Sequence, residues 1–253
     1  MSSTKIALVT GGNRGLGKDM ALQLAHKGHN VIITYHQNRE LAIQTVAELE
    51  QLKVKSVALH LNLSDVKSIP AFIVTLKDTL HSNFNATHFD YLINNAGMGA
   101  TVPFEEVTEA LFDEFLNVHF KSVYFLTQHC IPILNNGGCV INISSGTTRY
   151  CNPGYSVYSS MKGAVEVFTR YVAKELGNKG IRANVVAPGP VETDFNHAAI
   201  RNNPLMKERL ASLSPLGRVG VAEDIGSVVA FLCSDEARWI NGQRIEVSGG
   251  INI

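Results

Sequence analysis

Short runs of apolar residues alternate with longer amphipathic segments along the chain. The apolar runs cover residues 6–10, 31–35, 56–61, 91–94, 140–144, 183–187 and 245–248. Continuous apolar runs of this length are typical of strands that are buried on both faces, as in a parallel sheet. The intervening segments, such as 17–26, 40–52 and 158–176, are long enough for the crossover helices that parallel strands require. The pattern therefore predicts an α/β fold in which a seven-stranded parallel sheet carries helices on both faces.

The chain length and the distribution of prolines refine this picture. A chain of 253 residues can form one α/β domain that buries about three quarters of its unfolded surface, and we expect a single domain over residues 1–253. The longest irregular region, 188–221, contains Pro188, Pro190, Pro204 and Pro215. Long loops within compact domains are usually functional, so this region is expected to form a partly helical lid over the substrate.

Charge, cysteine content and hydropathy exclude several classes of protein. Lysine plus arginine and aspartate plus glutamate number 22 each, giving no net charge, so a nucleic-acid partner is not expected. The cysteines show no Cys-x-x-Cys spacing, and three of the four lie in or beside apolar runs, which favours buried thiols in a reducing cytoplasm. The first strand follows the N-terminus at once and no run reaches transmembrane length, so we predict neither a signal peptide nor a membrane span.

A glycine-rich turn, Thr10-Gly-Gly-Asn-Arg-Gly-Leu-Gly17, connects the first predicted strand to the first predicted helix. The free backbone N–H groups and the positive dipole end at the start of a helix attract a pyrophosphate. Glycine at these positions permits the turn, the close approach of the phosphates and the packing of helix on strand. The turn is therefore predicted to bind a dinucleotide.

The end of the second predicted strand indicates which dinucleotide is bound. NAD is usually selected by an acidic residue there, which accepts hydrogen bonds from the ribose. Residues 32–37 read Ile-Ile-Thr-Tyr-His-Gln and contain no acid. Arg14, and also His36 or Arg39, could instead form charge-assisted hydrogen bonds with a 2′-phosphate. We predict NADP(H) rather than NAD(H).

Three further residues point to proton transfer. Tyr158 and Lys162 are four residues apart, so their phenol and ammonium groups share one face of a helix. Ser145 lies thirteen residues before Tyr158, at the end of an apolar run. A tyrosine–lysine pair alone is more often an ordinary surface pair, but its combination with Ser145 and the glycine turn favours catalysis.

In these motifs the chain resembles the short-chain dehydrogenase/reductase family over essentially its whole length, and it is similar to 3-oxoacyl-carrier-protein reductases. The resemblance implies a single-domain Rossmann fold and a catalytic set of Ser145, Tyr158 and Lys162, together with His119 at the family's usual asparagine position. It also implies cofactor contacts from Gly11, Asn13, Arg14, Gly15, Leu16, Gly17, His36, Asn62, Leu63, Asn94, Ala96, Gly97, Tyr158, Lys162, Pro188, Gly189, Val191 and Thr193.

The resemblance also implies a mechanism in which NADPH delivers hydride to a carbonyl carbon. Tyr158 would act as general acid/base and Ser145 would orient the carbonyl oxygen. A tyrosine titrates near 10. An ammonium about 4 Å away contributes roughly 4 kcal/mol at an effective dielectric near 20, about three pKa units. Lys162 is therefore expected to lower the pKa of Tyr158, and it could also hold the nicotinamide ribose.

His119 is the main departure from the family pattern. Asn117 is a poor substitute for the missing asparagine, because two residues correspond to about 200° around a helix. His119 could relay protons behind Lys162 or could simply hydrogen-bond a backbone carbonyl or water, and both interpretations stay open. Ser248 replaces a common aspartate, with an expected effect on packing rather than on chemistry.

Several other residues carry weaker signals. His26 and His29 lack partners for a metal site, so no metal is predicted. Trp239 is expected in core or subunit packing. The apolar stripe that follows Lys162 consists of Val165, Phe168, Tyr171 and Val172. Because this helix often packs between subunits in the family, the stripe implies a homotetramer, with a dimer as the alternative.

The substrate and one competing function remain open. Thr147, Arg149 and Tyr150 are expected to shape the pocket, and Arg149 could bind an anionic substrate group or pair with a surface acid. The substrate is expected to be a small molecule that carries a carbonyl or alcohol group. A protein that binds NADP(H) as a sensor or scaffold is the alternative to an enzyme, but such a protein would need none of Ser145, Tyr158 and Lys162.

Overall fold

The computed structural model describes residues 4–253. Met1, Ser2 and Ser3, which belong to the N-terminal stretch expected to lack a signal peptide, lie outside the described residues. The strands are β1 (Ile6–Val9), β2 (Asn30–Tyr35), β3 (Ser56–His60), β4 (Phe89–Asn94), β5 (Leu134–Ile143), β6 (Arg182–Pro188) and β7 (Arg244–Val247). They form one parallel sheet in the order β3-β2-β1-β4-β5-β6-β7. This confirms the predicted sheet. Only β5 begins well before its predicted start, because its first residues, Leu-Asn-Asn-Gly-Gly, do not form an apolar run.

Helices cover both faces of the sheet. They are α1 (Gly15–His26), α2 (Arg39–Gln51), α3 (Ile69–Phe84), α4 (Glu109–Leu116), α5 (Ser122–Cys130), α6 (Ser156–Leu176), α7 (Phe195–Ala198), α8 (Pro204–Ser212) and α9 (Ala222–Leu232). The three helices predicted from the sequence are confirmed as α1, α2 and α6. A π-helical turn, Asn117–Lys121, joins α4 to α5.

Alternation along the strands creates two apolar cores. In β1, Ala7 and Val9 pack with α1 and α9 on one face, whereas Ile6 and Leu8 face the side covered by α3 and α5. Successive strand residues point to opposite faces, so each apolar strand contributes to both cores. The burial of β1 on both sides explains why its sequence is apolar without interruption.

The strand order places a crevice at the carboxyl ends of β1 and β4. The chain runs outward from β1 to β2 and β3 and then crosses back to β4, which pairs with the other side of β1. At such a reversal the connections leave in opposite directions, and ligands bind in the gap between them. The glycine turn after β1 lies at this point.

The structure also tests the expectations for the region 188–221, the cysteines, Trp239 and membrane-spanning helices. The region 188–221 contains α7 and α8 and is therefore partly helical, as predicted. Cys130, Cys139 and Cys233 are buried, as expected, and Cys151 is exposed. Trp239 is 96% exposed, so the core-packing interpretation is wrong for this residue. No helix within residues 4–253 is long and apolar enough to cross a membrane.

Candidate active site

One cavity of about 960 Å³ lies at the carboxyl ends of the strands and extends from the glycine turn to the region 188–221. It brings together almost every residue predicted to bind a cofactor or to act in catalysis. Those on its wall are Gly11, Asn13, Arg14, Gly15, Leu16, Gly17, His36, Asn62, Leu63, Ala96, Gly97, His119, Ser145, Tyr158, Lys162, Pro188, Gly189, Val191 and Thr193. Arg39, the third candidate for a contact with a 2′-phosphate, does not line the cavity.

Asn94 is the exception among the predicted cofactor residues. It is buried in β4, where its Nδ2 donates to Asn142 Oδ1 at 2.8 Å and to Thr127 Oγ1 at 3.0 Å. The amide therefore ties β4 to its neighbours and does not line the cavity. The next residue, Asn95, lines the cavity, and its Nδ2 donates to Thr10 O at 2.9 Å. Successive residues of a strand point to opposite faces, and this one-residue difference decides which asparagine faces the cavity.

The glycine turn has the shape that a pyrophosphate needs. Gly11 has a φ of +64°, and a Cβ there would lie 3.0 Å from Ala96 Cα. A Cβ on Gly17 would lie 2.2 Å from Gly11 O, so only glycine lets α1 begin this close to the turn. The first residues of α1, Gly15, Leu16 and Gly17, line the cavity, and free N–H groups at the start of a helix can bind phosphate. The residues present fit a dinucleotide.

Tyr158 and Lys162 lie one turn apart on α6, as their spacing predicts. Lys162 is 4% exposed, and its Nζ donates to Ile143 O at 2.7 Å and lies 5.6 Å from the centre of the Tyr158 ring. Burial lowers the pKa of Lys162 to about 8. Lys162 is anchored to the end of β5 and does not form a direct hydrogen bond with the phenol.

The pKa of Tyr158 is shifted in the direction opposite to the sequence-based expectation. Burial raises it to about 12, and the Ser145 hydroxyl opposes this shift. Removal from water penalises the phenolate directly, whereas the Lys162 ammonium, 5.6 Å from the centre of the phenol ring, is itself destabilised by burial. Tyr158 therefore holds its proton at neutral pH and is suited to donate it.

Ser145 is oriented by its own turn. The backbone N–H of Thr147 donates to Ser145 Oγ at 3.2 Å, and the Thr147 hydroxyl donates to the same atom at 3.0 Å. Because these donors occupy the lone pairs of the oxygen, the serine proton is free to be donated. It can bond to a carbonyl oxygen in the cavity or to the Tyr158 phenol.

His119 lies in the π-helical turn and is 1% exposed. Its Nε2 is 2.8 Å from Met98 O, and its ring meets the Tyr158 ring edge to face, with centres 5.1 Å apart. Its Nδ1 has no hydrogen-bond partner among residues 4–253. Burial, followed by the charge of Lys162, lowers the pKa of His119 well below its usual value. The imidazole is therefore neutral at neutral pH.

The end of the cavity beside the region 188–221 is lined largely by aromatic and aliphatic side chains. Tyr155 and Phe195 flank Tyr158, with ring centres 6.2 and 6.0 Å from its own. Further wall residues are Thr147, Tyr150, Ile200, Met206, Leu210, Leu213, Ile251 and Asn252. Thr147 and Tyr150 were predicted here, and Phe195 lies in the region 188–221 that was expected to cover the substrate. The C-terminal pair was not predicted, because no local pattern links the end of the chain to this pocket.

Arg149 does not line the cavity. Its Nε lies 3.4 Å from Glu246 Oε2, and its Nη2 donates to Asn252 O at 3.2 Å. Of the two interpretations left open by the sequence, pairing with an acid is confirmed. Ser248, which replaces the common aspartate, donates to Glu246 Oε1 at 3.0 Å.

Comparison with known proteins places this geometry among reductases. A family model described as "Enoyl-(Acyl carrier protein) reductase" matches residues 11–252. The "Hydroxynaphthalene reductase-like protein Arp2" of Metarhizium robertsii is 36% identical over 257 residues, which cover 97% of this chain and 94% of that protein.

Solved structures agree with these sequence matches. The reductase LugOII, described as promiscuous and as catalysing keto-reduction at C1 during lugdunomycin biosynthesis, is 36% identical with a TM-score of 0.92, covering 97% of this chain and 96% of its own. The angucycline C-6 ketoreductase LanV, solved with bound NADP, is 34% identical with a TM-score of 0.93, covering 97% and 95%.

Proposed function

Because the chain belongs to the short-chain dehydrogenase/reductase family, we propose that it is an NADP(H)-dependent carbonyl reductase. The reaction moves a hydride between the nicotinamide and a carbonyl or secondary alcohol. The observation that carries the proposal is the convergence of Ser145, Tyr158 and Lys162 in the cavity that also contains the glycine turn. NADP is the bound cofactor of the similar ketoreductase LanV, which supports the choice already indicated by Arg14 and His36.

In the proposed reaction NADPH supplies the hydride, and the protein supplies the proton. Tyr158 donates its phenolic proton to the carbonyl oxygen as negative charge develops there. The Ser145 hydroxyl donates a second hydrogen bond to the same oxygen. Lys162, held by Ile143 O, places a positive charge beneath this pair and can also bind the nicotinamide ribose. The raised pKa of Tyr158 favours carbonyl reduction over alcohol oxidation at neutral pH.

We assign the substrate to ketones carried on flat, fused ring systems. The wall beside Tyr158 presents the faces and edges of Tyr155 and Phe195, and aromatic side chains bind planar apolar groups well. The names of the related hydroxynaphthalene reductase-like protein and angucycline ketoreductase point to the same class.

The direct experiment measures NADPH oxidation with a panel of carbonyl compounds. The panel contains fused aromatic ketones, quinones, aliphatic ketones, aldehydes and 3-oxoacyl thioesters, and kcat/KM should be highest for the fused aromatic ketones. A higher value for thioesters would contradict the substrate assignment alone. Tight NADPH binding without turnover of any compound would contradict the enzyme and favour the sensor or scaffold.

His119 is proposed to be a neutral positioning residue. A protonated relay is disfavoured because its pKa lies well below neutrality. His119→Asn should reduce kcat, on the order of tenfold, because the shorter side chain cannot reach Met98 O. The apparent pKa values of the pH–rate profile should not change, since the imidazole stays neutral in the pH range of the assay.

His119→Gln is the matched control, because its amide N–H can replace Nε2–H and should retain more activity. The pH–rate profiles of both variants and of the wild type test the assignment, together with the NADPH dissociation constants. A limb that shifts in His119→Asn would favour the relay.

A homotetramer is also part of this proposal. An exposed surface on α5 and α6 comprises Tyr124, Phe125, Val167 and Tyr171, with Tyr171 63% exposed, although Val165 and Val172 of the predicted stripe face the core. Sedimentation velocity should show a tetramer, and Tyr171→Glu should yield smaller species. Phe104→Glu should not, because Phe104, although also exposed, lies in the separate 3-10 turn Phe104–Glu106. A monomeric wild type would contradict the proposal.

Four unpaired cysteines are consistent with the proposed cytoplasmic location.

A further inference from the structure

A network of charged side chains lies directly beneath the turn that carries Ser145. Its centre is Glu166, four residues after Lys162 on α6. Glu166 Oε1 accepts hydrogen bonds from Ser144 Oγ at 2.7 Å, from Thr148 Oγ1 at 2.8 Å and from Arg244 Nε at 2.8 Å. One carboxylate oxygen therefore joins the end of β5, the turn after it and β7.

Arg244 carries the same network to the backbone of Ser145. Its Nη2 donates to Ser145 O at 3.2 Å and is also 3.2 Å from Thr148 Oγ1, while its Nη1 donates to Glu246 Oε2 at 2.9 Å. The guanidinium is planar and donates in fixed directions. It therefore bonds to Glu166, Glu246 and Ser145 O at once through three separate nitrogens, Nε, Nη1 and Nη2.

Partial burial strengthens these contacts. The side chains of Arg244 and Glu166 are 23% and 14% exposed. Burial alone lowers the pKa of Arg244, but the hydrogen bonds to Glu246 and Glu166 outweigh it and raise the pKa above its usual value. The Arg244 guanidinium therefore stays charged across the neutral pH range.

We propose that Arg244 and Glu166 are positioning residues, which fix the Ser145 turn so that the Ser145 hydroxyl meets the Tyr158 phenol and the carbonyl oxygen. This inference rests on the proposed function and extends it to two residues that do not touch the cavity. A displacement of about 1 Å at a reacting group can reduce a rate by up to about a hundredfold. The network opposes such a displacement from below.

The test compares Arg244→Met, Glu166→Met and Glu166→Gln with the wild type. The methionine variants should lower kcat about tenfold while the NADPH dissociation constant stays within about twofold, because the glycine turn is untouched. Glu166→Gln should retain most activity, since its amide oxygen still accepts from Ser144, Thr148 and Arg244. Equal activity in Glu166→Gln and Glu166→Met would overturn the proposal, even if Arg244→Met did not fold.

A second readout separates positioning from general stability. Ser145 lowers the pKa of Tyr158, so a displaced Ser145 should move the ultraviolet titration of the Tyr158 phenol to higher pH. The titration is measured in the NADP⁺ complex, with Tyr158→Phe subtracted. If the pKa of the Tyr158 phenol were the same in Arg244→Met, Glu166→Met and the wild type, the proposal would be overturned.

Arg182→Met is the matched control. Arg182 also bonds to backbone carbonyls, with Nη2 2.7 Å from Leu232 O, but it lies at the opposite end of the sheet. Its loss should lower the melting temperature without changing kcat or the titration, and an equal loss of kcat would contradict a positioning role for Arg244.

The phenol titration requires no turnover. If the wild type reduced no carbonyl, the proposed function would fail while the positioning of Ser145 could still be judged. If the wild type were active and the Arg244 and Glu166 variants behaved like it, only the positioning role would fail.

Discussion

Tyr158→Phe should reduce carbonyl reduction about a thousandfold while NADPH still binds, because general acid catalysis typically contributes about 10²–10⁴. The substitution removes only the phenolic oxygen. The ring keeps its contacts with Phe115, His119 and Phe195, so the fold and the cavity shape are retained. Single-turnover rates and NADPH dissociation constants, measured on one preparation, separate the proton-transfer step from cofactor binding.

Tyr155→Phe is the matched control for this prediction. Tyr155 lies on the same wall, 6.2 Å from the Tyr158 ring, and its hydroxyl accepts only a long bond of 3.4 Å from Asn196 Nδ2. Its variant should retain turnover within a few-fold. Near-normal turnover in Tyr158→Phe would contradict the proposed general acid, and equal losses in both variants would indicate a general disturbance of the wall.

The pH dependence follows from the same side chain. Burial raises the pKa of Tyr158 to about 12, so the phenol remains protonated through the neutral range and carbonyl reduction should be independent of pH there. Alcohol oxidation needs the phenolate, so its rate should rise with pH. The positive charge of a bound oxidised nicotinamide moves this rise to lower pH.

Arg14→Ala should weaken NADPH binding about tenfold to a hundredfold and leave NADH binding nearly unchanged. A hydrogen bond to a charged group is worth about 1.5–3 kcal/mol, and about 1.4 kcal/mol corresponds to a tenfold change. Arg14 is exposed and lines the cavity. It takes part in none of the ion pairs found within residues 4–253, so its charge is available to a 2′-phosphate.

Lys18→Ala provides the control for charge alone. Lys18 lies in the first turn of α1, four residues after Arg14, but pairs with Glu48 at 2.7 Å and does not line the cavity. Its loss should change the ratio of NADPH to NADH affinity by less than about twofold. If Arg14→Ala weakened both cofactors equally, Arg14 would bind the pyrophosphate rather than the 2′-phosphate.

Much of this protein could be predicted from sequence because its signals are local. The apolar runs predicted all seven strands, since a strand buried on both faces must be apolar along its length. The glycine turn predicted the dinucleotide-binding site, because the close packing of Gly17 against Gly11 leaves no room for a side chain. The four-residue spacing placed Tyr158 above Lys162 because the period of a helix requires it.

The tertiary structure decided what depends on burial and on distant partners. The sequence predicted a lowered pKa for Tyr158 from the charge of Lys162, but burial reverses the sign, and burial is a property of the packed chain. It could not distinguish Asn94 from Asn95, because strand orientation relative to the turn fixes which one faces the cavity. It left the roles of His119 and Arg149 open, and it did not connect Arg244 to Ser145, 99 residues away, because only the folded sheet brings β7 beneath the catalytic turn.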